Sequence, residues 1–506
     1  MTLQSTTGSP YCKQLNIGSP IGWAHELSIK EGMVVLYSGL GKHSEYCDWD
    51  MIALKPKELL CLESTDVLGS EHEAFSRLET FMTAPWRDDQ GLVITEDAWL
   101  SLSQHLNVTL PMAHCALSYE LGAQAIGVDP RSEKHLTPSL WAARYQAIYL
   151  FKRDEGTGWL ISASELEMDM LRTELSQAYV TAQKSRSAHP IQNTSLGEES
   201  ISSSHHTHKR FLSPALSYQE YCGQFEHLQE AILNGDVYQM NLTLPFSCKR
   251  LHQESSLSLF KRLCKVNAGQ FSAFLQLDKS RSIISLSPER LARWSGRKGE
   301  RHEPGVRWIE TAPIKGTRPR RSDPEADEAE RRSLINSVKD DAEHVMILDL
   351  ERNDLGKLCE SGSVEVLVDR EARRYATVHH LVSVVRGRLS PTAKLTDILN
   401  AIFPGGSVTG APKLRSMELI RKLEIHPRGV YCGALGYIDP LGGGDLNLPI
   451  RTLFCDDDTI VYHAGGGIVA DSSPHHEWEE VWVKTQGVEC ALREVIPRDL
   501  SYAQSK

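Results

Sequence analysis

The stretch SYQEYCGQFEHLQEAILNGDVYQMNLTL, residues 217–244, changes its period half-way along. Ser217 precedes Glu220 by three residues, the spacing of a capping box, in which the two side chains each satisfy a backbone amide at a helix start. Tyr221, Phe225, Leu228 and Ile232 then recur at three- and four-residue steps and fall on one helical face. Asn234-Gly235 is a stop signal, since glycine accepts the left-handed backbone that ends helices. From Val237 to Leu244 the period drops to two, so Gln239, Asn241 and Thr243 share one face of a strand. Taken alone, that polar face reads as the wet side of an edge strand.

Working outward, further strands are expected around 283–286, 306–311, 378–385 and 460–463, and helices near 327–350, 412–423 and 476–492. Upstream, 33–39 and 51–54 read as short strands. No internal repeat indicates a solenoid. Between the two parts lies AQKSRSAHPIQNTSLGEESISSSHHTHKRFLS, residues 182–213, rich in serine, histidine and charge and poor in apolar residues. The expected organisation is therefore an N-terminal region 1–182, a linker or surface loop 183–213, a second region 214–497 and a tail 498–506. His205, His206 and His208 have no carboxylate or thiol helper and read as a solvated loop.

At 506 residues, with 41% hydrophobic and 24% charged residues, the chain has ample material for a buried core. Its net charge of −11 disfavours nucleic acid and anionic membrane as partners. An anionic small substrate needs a local cationic pocket. No apolar run approaches the roughly 18 residues that span a bilayer, and the start lacks a secretory pattern, so a cytoplasmic location is expected. The 11 cysteines form no CxxC pair or zinc-like spacing and read as reduced thiols.

Several segments carry chemistry. Asp340 and Glu343 stand three apart, as do Glu477 and Glu480, with Lys484 one turn further on. Two such pairs on separate helices can converge on Mg²⁺, which takes one or two carboxylates and keeps water or substrate oxygens; either pair alone is equally an exposed acidic face. Phe403-Pro404-Gly405-Gly406-Ser407-Val408-Thr409-Gly410-Ala411-Pro412-Lys413 is glycine-rich, with Pro412 suited to the first helical position and upstream amides free for an anion. It lacks the Gly-Lys-Ser/Thr of a nucleotide loop. Ala464-Gly465-Gly466-Gly467-Ile468 together with Arg451 is either a carboxylate grip or a tight turn beside a surface arginine.

The chain resembles the chorismate-utilising enzymes. The likeness rests on Ile232 to Leu242, Ser287-Pro288-Glu289-Arg290, Glu310-Thr311-Ala312-Pro313-Ile314-Lys315-Gly316-Thr317-Arg318-Pro319-Arg320 and Asp341 to Gly356. The Pro-Gly-Gly loop, Ile450-Arg451-Thr452 and the Gly465 segment follow in the same order. It is dense over 217–494 and loose before, through Leu36-Tyr37-Ser38 and Ala116 to Gly122. Two positions select the branch. Isochorismate- and salicylate-forming members have a lysine base where Gln239 stands, and anthranilate-forming members usually have alanine where Lys315 stands. Lysine there resembles the branch that aminates chorismate at C4, giving 4-amino-4-deoxychorismate on the way to 4-aminobenzoate and folate. The alternatives are the anthranilate branch and a non-catalytic chorismate-binding subunit.

That resemblance implies an α+β fold of two large, mainly antiparallel β-sheets packed as a sandwich with helices outside. It implies an enzyme in which Glu343 and Glu480 hold Mg²⁺, with Asp340 and Glu477 acting through its waters. Thr409, Gly410, Ala411, Arg451, Gly465, Gly467 and Lys484 would bind chorismate. Glu289 would protonate the C4 hydroxyl, which needs a raised pKa. Lys315 would add at C2 as an uncharged amine, which needs its pKa of about 10.4 to fall. His380 would lie beside the ring; the family usually has methionine where His379 stands. No cysteine sits in a Gly-x-Cys-x-Gly elbow, so ammonia is expected from a separate glutamine amidotransferase subunit. Whether the first region holds a tryptophan-like ligand is left open by its looser motifs.

Overall fold

The computed structural model describes residues 8–39, 49–66, 71–129, 136–188, 210–250, 254–297, 299–300, 303–375 and 378–493. Strand after strand alternates between two hydrophobic clusters. Val34, Met51, Ala273, Leu275 and Ile283 belong to one, and their neighbours Val35, Ile52, Phe274 and Ile284 to the other. A strand that is apolar on both faces must be covered on both.

Among the described residues, twelve strands form one sheet. From one edge it runs Tyr11–Gln14, Thr157–Ser162, Ala147–Lys152, Trp49–Ala53, Val34–Tyr37, Phe271–Gln276 and Ser282–Ser287. It continues through Thr452–Cys455, Thr459–Ile468, Gln239–Lys249 and Gly410–Ala411, with Ser213–Pro214 also on Gln239–Lys249. A ten-stranded sheet runs Ile314–Pro319, Val378–Arg388, Trp308–Ala312, Arg290–Trp294, Gly444–Asn447, Ala434–Ile438, Ala113–Leu117, Leu140–Arg144 and Glu58–Leu62, with Glu365–Arg374 on Val378–Arg388. Neighbouring strands are antiparallel. The sheets meet face to face, as where Trp49 packs edge-on against Tyr437, 5.5 Å between centroids. Helices Glu165–Ala188, Ser256–Asn267 and Pro474–Arg493 bury their apolar sides in the outer cluster of the larger sheet. This is the α+β sandwich that the motifs imply.

The composition break near residue 182 is not a break in the core. Val34–Tyr37 pairs with Phe271–Gln276, and Ala113–Leu117 with Ala434–Ile438, so both regions build both sheets. Residues 183–188 are helix rather than linker: Ala182 is buried, and Ser187 Oγ donates to Gln183 O at 2.9 Å, one turn back. At the other end the Glu489 carboxylate accepts the amides of Phe211 and Leu212 at 3.1 and 2.8 Å, which anchors 210–213 as well. Residues 189–209, with His205, His206 and His208, and the tail lie outside the described residues.

The capping box is present, Glu220 N donating to Ser217 Oγ and Ser217 N to the Glu220 carboxylate. The single helix expected over 327–350 is two, Pro324–Ile335 and Val338–Gly356, because Ser337 caps the second by accepting Asp340 N at 3.2 Å. The face of Gln239, Asn241 and Thr243 is not wet; these residues are buried. Among the described residues no helix is long and apolar enough to cross a membrane, and the cysteines are free.

A buried charge knot joins the two regions. Arg428 Nη2 donates to Glu424 Oε1 at 2.7 Å and to Asn241 O at 2.8 Å, and Nη1 donates to Val408 O at 2.8 Å. Its guanidinium lies 4.5 Å from the centroid of Tyr119, and Glu120 accepts the Arg428 amide at 2.6 Å. Removing one partner of a buried pair leaves the other charge in the core, which destabilises by about 3–5 kcal/mol. Arg428→Ala is therefore expected to lower the unfolding free energy by that amount, read from urea denaturation.

Candidate active site

Glu289 lies in the turn between Ser282–Ser287 and Arg290–Trp294, 6% exposed. Burial lifts its carboxyl to about pKa 6, against the pull of a hydrogen bond from Ser407 Oγ at 2.7 Å and of the Lys315 and Arg451 cations. Lys315 stands in the strand Ile314–Pro319, half-buried. Gly316 follows at φ 70°, and the pairing with Val378–Arg388 slips there, Lys315 opposite Leu381 and Thr317 opposite His380. Such a bulge re-aims side chains at a sheet edge. Burial pulls the Lys315 ammonium below its ordinary value, with Lys484 acting the same way, while Glu343, Glu289 and Glu480 hold it up.

His380 is buried, its Nδ1 2.9 Å from Thr317 Oγ1 and its ring edge-on to Tyr375. Burial and the Arg451 cation bring it down to about pKa 4, so it is neutral. His379 faces the other way and bonds Asp327 Oδ1 at 2.9 Å on the helix Pro324–Ile335, which gives the departure from methionine a structural partner.

The glycine segment is not a turn. Gly465, Gly466 and Gly467 lie inside Thr459–Ile468, opposite Thr243, Leu242 and Asn241. Antiparallel pairs alternate between bonded and non-bonded. Asn241 N donates to Thr409 O and Thr243 N to Glu424 Oε1, so both amides point away from the glycine strand. Gly465 and Gly467 are thus the non-bonded partners, with amides turned to the opposite side. There the neighbouring strand has ended, pairing only as far as Tyr462, because Arg451 takes φ 51° and breaks it. Two open amides and Arg451 consequently face one space. Lys484 Nζ donates to Gly465 O at 2.7 Å and pairs with Glu480 at 2.6 Å. Gln239 is buried behind Gly467: a Cβ on that glycine would lie 2.5 Å from Gln239 Nε2.

The Pro-Gly-Gly loop is more closed than its composition suggests. Thr409 is fully buried and donates its hydroxyl to Gly405 O at 3.0 Å and its amide to Gly406 O at 3.3 Å. Gly410 and Ala411 pair with Met240 and Gln239, and Pro412 is the N-cap of Lys413–Leu423 rather than its first residue. The loop reaches the site through Ser407, whose hydroxyl holds Glu289 and to which the motif alone gave no role.

The acidic residues come from the first turns of two helices, Val338–Gly356 and Pro474–Arg493, or just beyond. Burial, then neighbouring carboxylates, raise Glu343 and Glu477 above the ordinary range, Glu343 feeling Asp340 and Glu477, and Glu477 feeling Glu480. Glu480 is also pushed up by burial, but Lys484 outweighs this and its net shift is downward. Crowded carboxylates of this kind suit an oxygen-loving cation. Among the described residues no three His, Cys, Asp or Glu side chains form a metal-holding group by themselves. Asp340 is engaged by Arg318 at 2.8 Å and Glu480 by Lys484 at 2.6 Å, so these carboxylates are an acidic cluster that magnesium would have to draw together rather than a formed metal site.

A family model for chorismate binding enzymes matches residues 57–489. The chain belongs to the chorismate binding enzyme family. It is 41% identical over 273 residues to aminodeoxychorismate synthase component 1 of Klebsiella aerogenes, covering 54% of this chain and 58% of that one. It is 33% identical over 365 residues to aminodeoxychorismate synthase component 1 of Bacillus subtilis, covering 70% and 71%. Anthranilate synthase component I from Streptococcus pneumoniae superposes with a TM-score of 0.61 at 25% identity, covering 88% of this chain and 93% of that one. The most similar of these relatives is matched over little more than half its length. This chorismate binding enzyme thus covers 58% of the length of the Klebsiella aerogenes relative and 71% of that of the Bacillus subtilis one.

A carboxyl raised in the folded chain is stabilised when protonated, so ionising Glu289 costs stability that is absent below about pH 4.5 and complete above about pH 6. The shift corresponds to about 2 kcal/mol. Glu289→Gln is expected to unfold at higher urea than the wild type at about pH 8, by that energy, and the two should converge below about pH 4.5.

Proposed function

We propose that this protein converts chorismate and ammonia into 4-amino-4-deoxychorismate, a transfer of nitrogen to C4 that leads to 4-aminobenzoate. The observation that carries the proposal is the convergence of buried Glu289, held by Ser407 Oγ at 2.7 Å, with half-buried Lys315, placed by the bulge at Gly316, each within the other's field; burial shifts the carboxyl up and the ammonium down. The names of the two relatives described above favour the same branch.

The chemistry follows from the charges. Arg451, Lys484 and the open amides of Gly465 and Gly467 balance the substrate's two carboxylates. Glu343 and Glu480, with Asp340 and Glu477 acting through water, would hold magnesium, which when bound would supply positive charge to offset the substrate's carboxylates. Glu289 gives its proton to the C4 hydroxyl, which leaves as water. Lys315 Nζ forms a bond to C2 as the ring's double bonds shift and the C4–O bond breaks. Ammonia then bonds to C4, the double bonds shift back, and the C2–N bond to Lys315 breaks. The neutral His380 borders the ring without adding charge. Gln239 leaves no lysine base at its position to activate water.

We further propose that ammonia comes from a separate glutamine amidotransferase subunit, in keeping with the designation "component 1" of the relatives, and that the enzyme works in the cytoplasm. Its free cysteines suit a reducing compartment.

Incubation with chorismate, Mg²⁺ and ammonium salt tests the reading. It should yield the aminated, still enolpyruvyl-bearing product; release of pyruvate with fluorescent anthranilate would overturn it. Lys315→Ala should slow product formation by a factor on the order of 10² or more while chorismate binding, followed by calorimetry, stays within a few-fold. A variant with full activity would remove the covalent step.

A further inference from the structure

The helix Val338–Gly356 carries a buried acid that the chemistry above does not use. Glu351 is 6% exposed and lies about two turns beyond Glu343, against the Pro-Gly-Gly loop. A Cβ on Gly406 would meet Leu350 Cδ2 at 2.6 Å and Glu351 Oε1 at 3.4 Å. Ser407 comes next in the chain, and its hydroxyl donates to Glu289 Oε1 at 2.7 Å. One short segment, Gly406-Ser407, thus lies beside two buried carboxyls. Thr311 approaches Glu351 from Trp308–Ala312, the strand whose Ala312 pairs with Arg290, directly after Glu289.

No cation closes on Glu351. One turn further on, Asp354 is served by two lysines, Lys357 at 2.8 Å and Lys413. Glu351 itself makes no ion pair among the described residues. A buried carboxyl without a cation favours its neutral form. Burial first, then the Asp354 and Glu289 carboxylates, push Glu351 up to about pKa 8, against the pull of Lys413 and of the Thr311 hydroxyl. Glu289, at about 6, is faced by Ser407, Lys315, the Ile314 amide and Arg451. The field between two charges is mutual, so ionising either carboxyl raises the proton affinity of the other. From about pH 6 to about pH 8 the pair retains one proton, and bound dianionic chorismate favours its presence on Glu289.

We infer that Glu351 is a positioning residue for the acid: across the Gly406-Ser407 segment it forms with Glu289 a pair that holds a single proton, and its ionised form keeps Glu289 protonated for the C4 hydroxyl. The inference rests on the part given to Glu289 in the amination reading. It requires no path between the two carboxyls, because the proton that leaves Glu351 goes to water and the one that Glu289 binds comes from water. Without Glu351, Glu289 loses its proton as the pH rises with no neighbouring negative charge of this kind to retain it.

Glu351→Gln keeps the shape of the neutral acid and cannot ionise. The test follows kcat/KM for chorismate from about pH 5.5 to about pH 9 at constant free ammonia and saturating Mg²⁺, as the ratio of variant to wild type, in which titrations common to both cancel. The ratio is expected to stay near one at about pH 6 and to fall about fivefold by about pH 8.5, with Glu351→Asp recovering part of the alkaline activity. A ratio that is flat or rises with pH, at whatever level, contradicts the inference and leaves the amination reading in place. A wild type that forms no aminated product at any pH overturns both. Should Glu351→Gln not fold, Glu351→Leu, neutral and of similar volume, is expected to show the same falling ratio, and a flat one overturns the inference equally.

Discussion

Glu289 is buried and Lys315 half-buried within each other's field, and burial drives the two in opposite directions: the carboxyl up towards neutrality, the ammonium down towards a free amine. Such a pair is costly to fold around. It persists because neighbouring groups over-determine it. Ser407 fixes the carboxyl, the bulge at Gly316 aims the lysine, and Glu343 and Glu480 oppose the downward shift that burial imposes on the lysine. Each of these supports comes from a different part of the chain, so the site exists only when both sheets have closed.

The second constraint is a missing strand. Thr452–Cys455 stops pairing at Tyr462, and the glycines beyond it keep the amides of Gly465 and Gly467 free of the ladder. Glycine is needed here because side chains would collide: a Cβ on Gly465 would sit 2.4 Å from Leu242 O, and one on Gly466 2.9 Å from Glu477 Oε2. Charge binding is thereby built from backbone and two cations, Arg451 and Lys484, in a protein of net charge −11.

Much of the second region was legible in the sequence. The capping box at Ser217, the polar face of Gln239, Asn241 and Thr243, and the acidic pairs all obey local periodicities that the structure keeps. What was not legible depends on long-range pairing. The Gly465 segment reads as a turn because glycine weakens a strand, yet ten-residue pairing with Gln239–Lys249 overrides that propensity. The linker reading ended the helix Glu165–Ala188 too early, since a polar helical turn and a polar loop have the same composition. The partnership of the first region in both sheets leaves no local mark at all: Val34–Tyr37 and Ala113–Leu117 read only as short apolar runs. Ser407 escaped for a similar reason, as a hydroxyl in a loop gains meaning only from the carboxyl that comes to meet it.

The central claim is that Lys315 is the nucleophile that carries the ring between loss of water and arrival of nitrogen. Rapid-quench mass spectrometry of the enzyme mixed with chorismate and Mg²⁺, with ammonia withheld, addresses it directly. The account predicts a mass increment of chorismate less one water on the peptide that contains Lys315, discharged to 4-amino-4-deoxychorismate when ammonium is added. An unmodified Lys315 at every time point, from enzyme that turns over normally once ammonium is supplied, would contradict it.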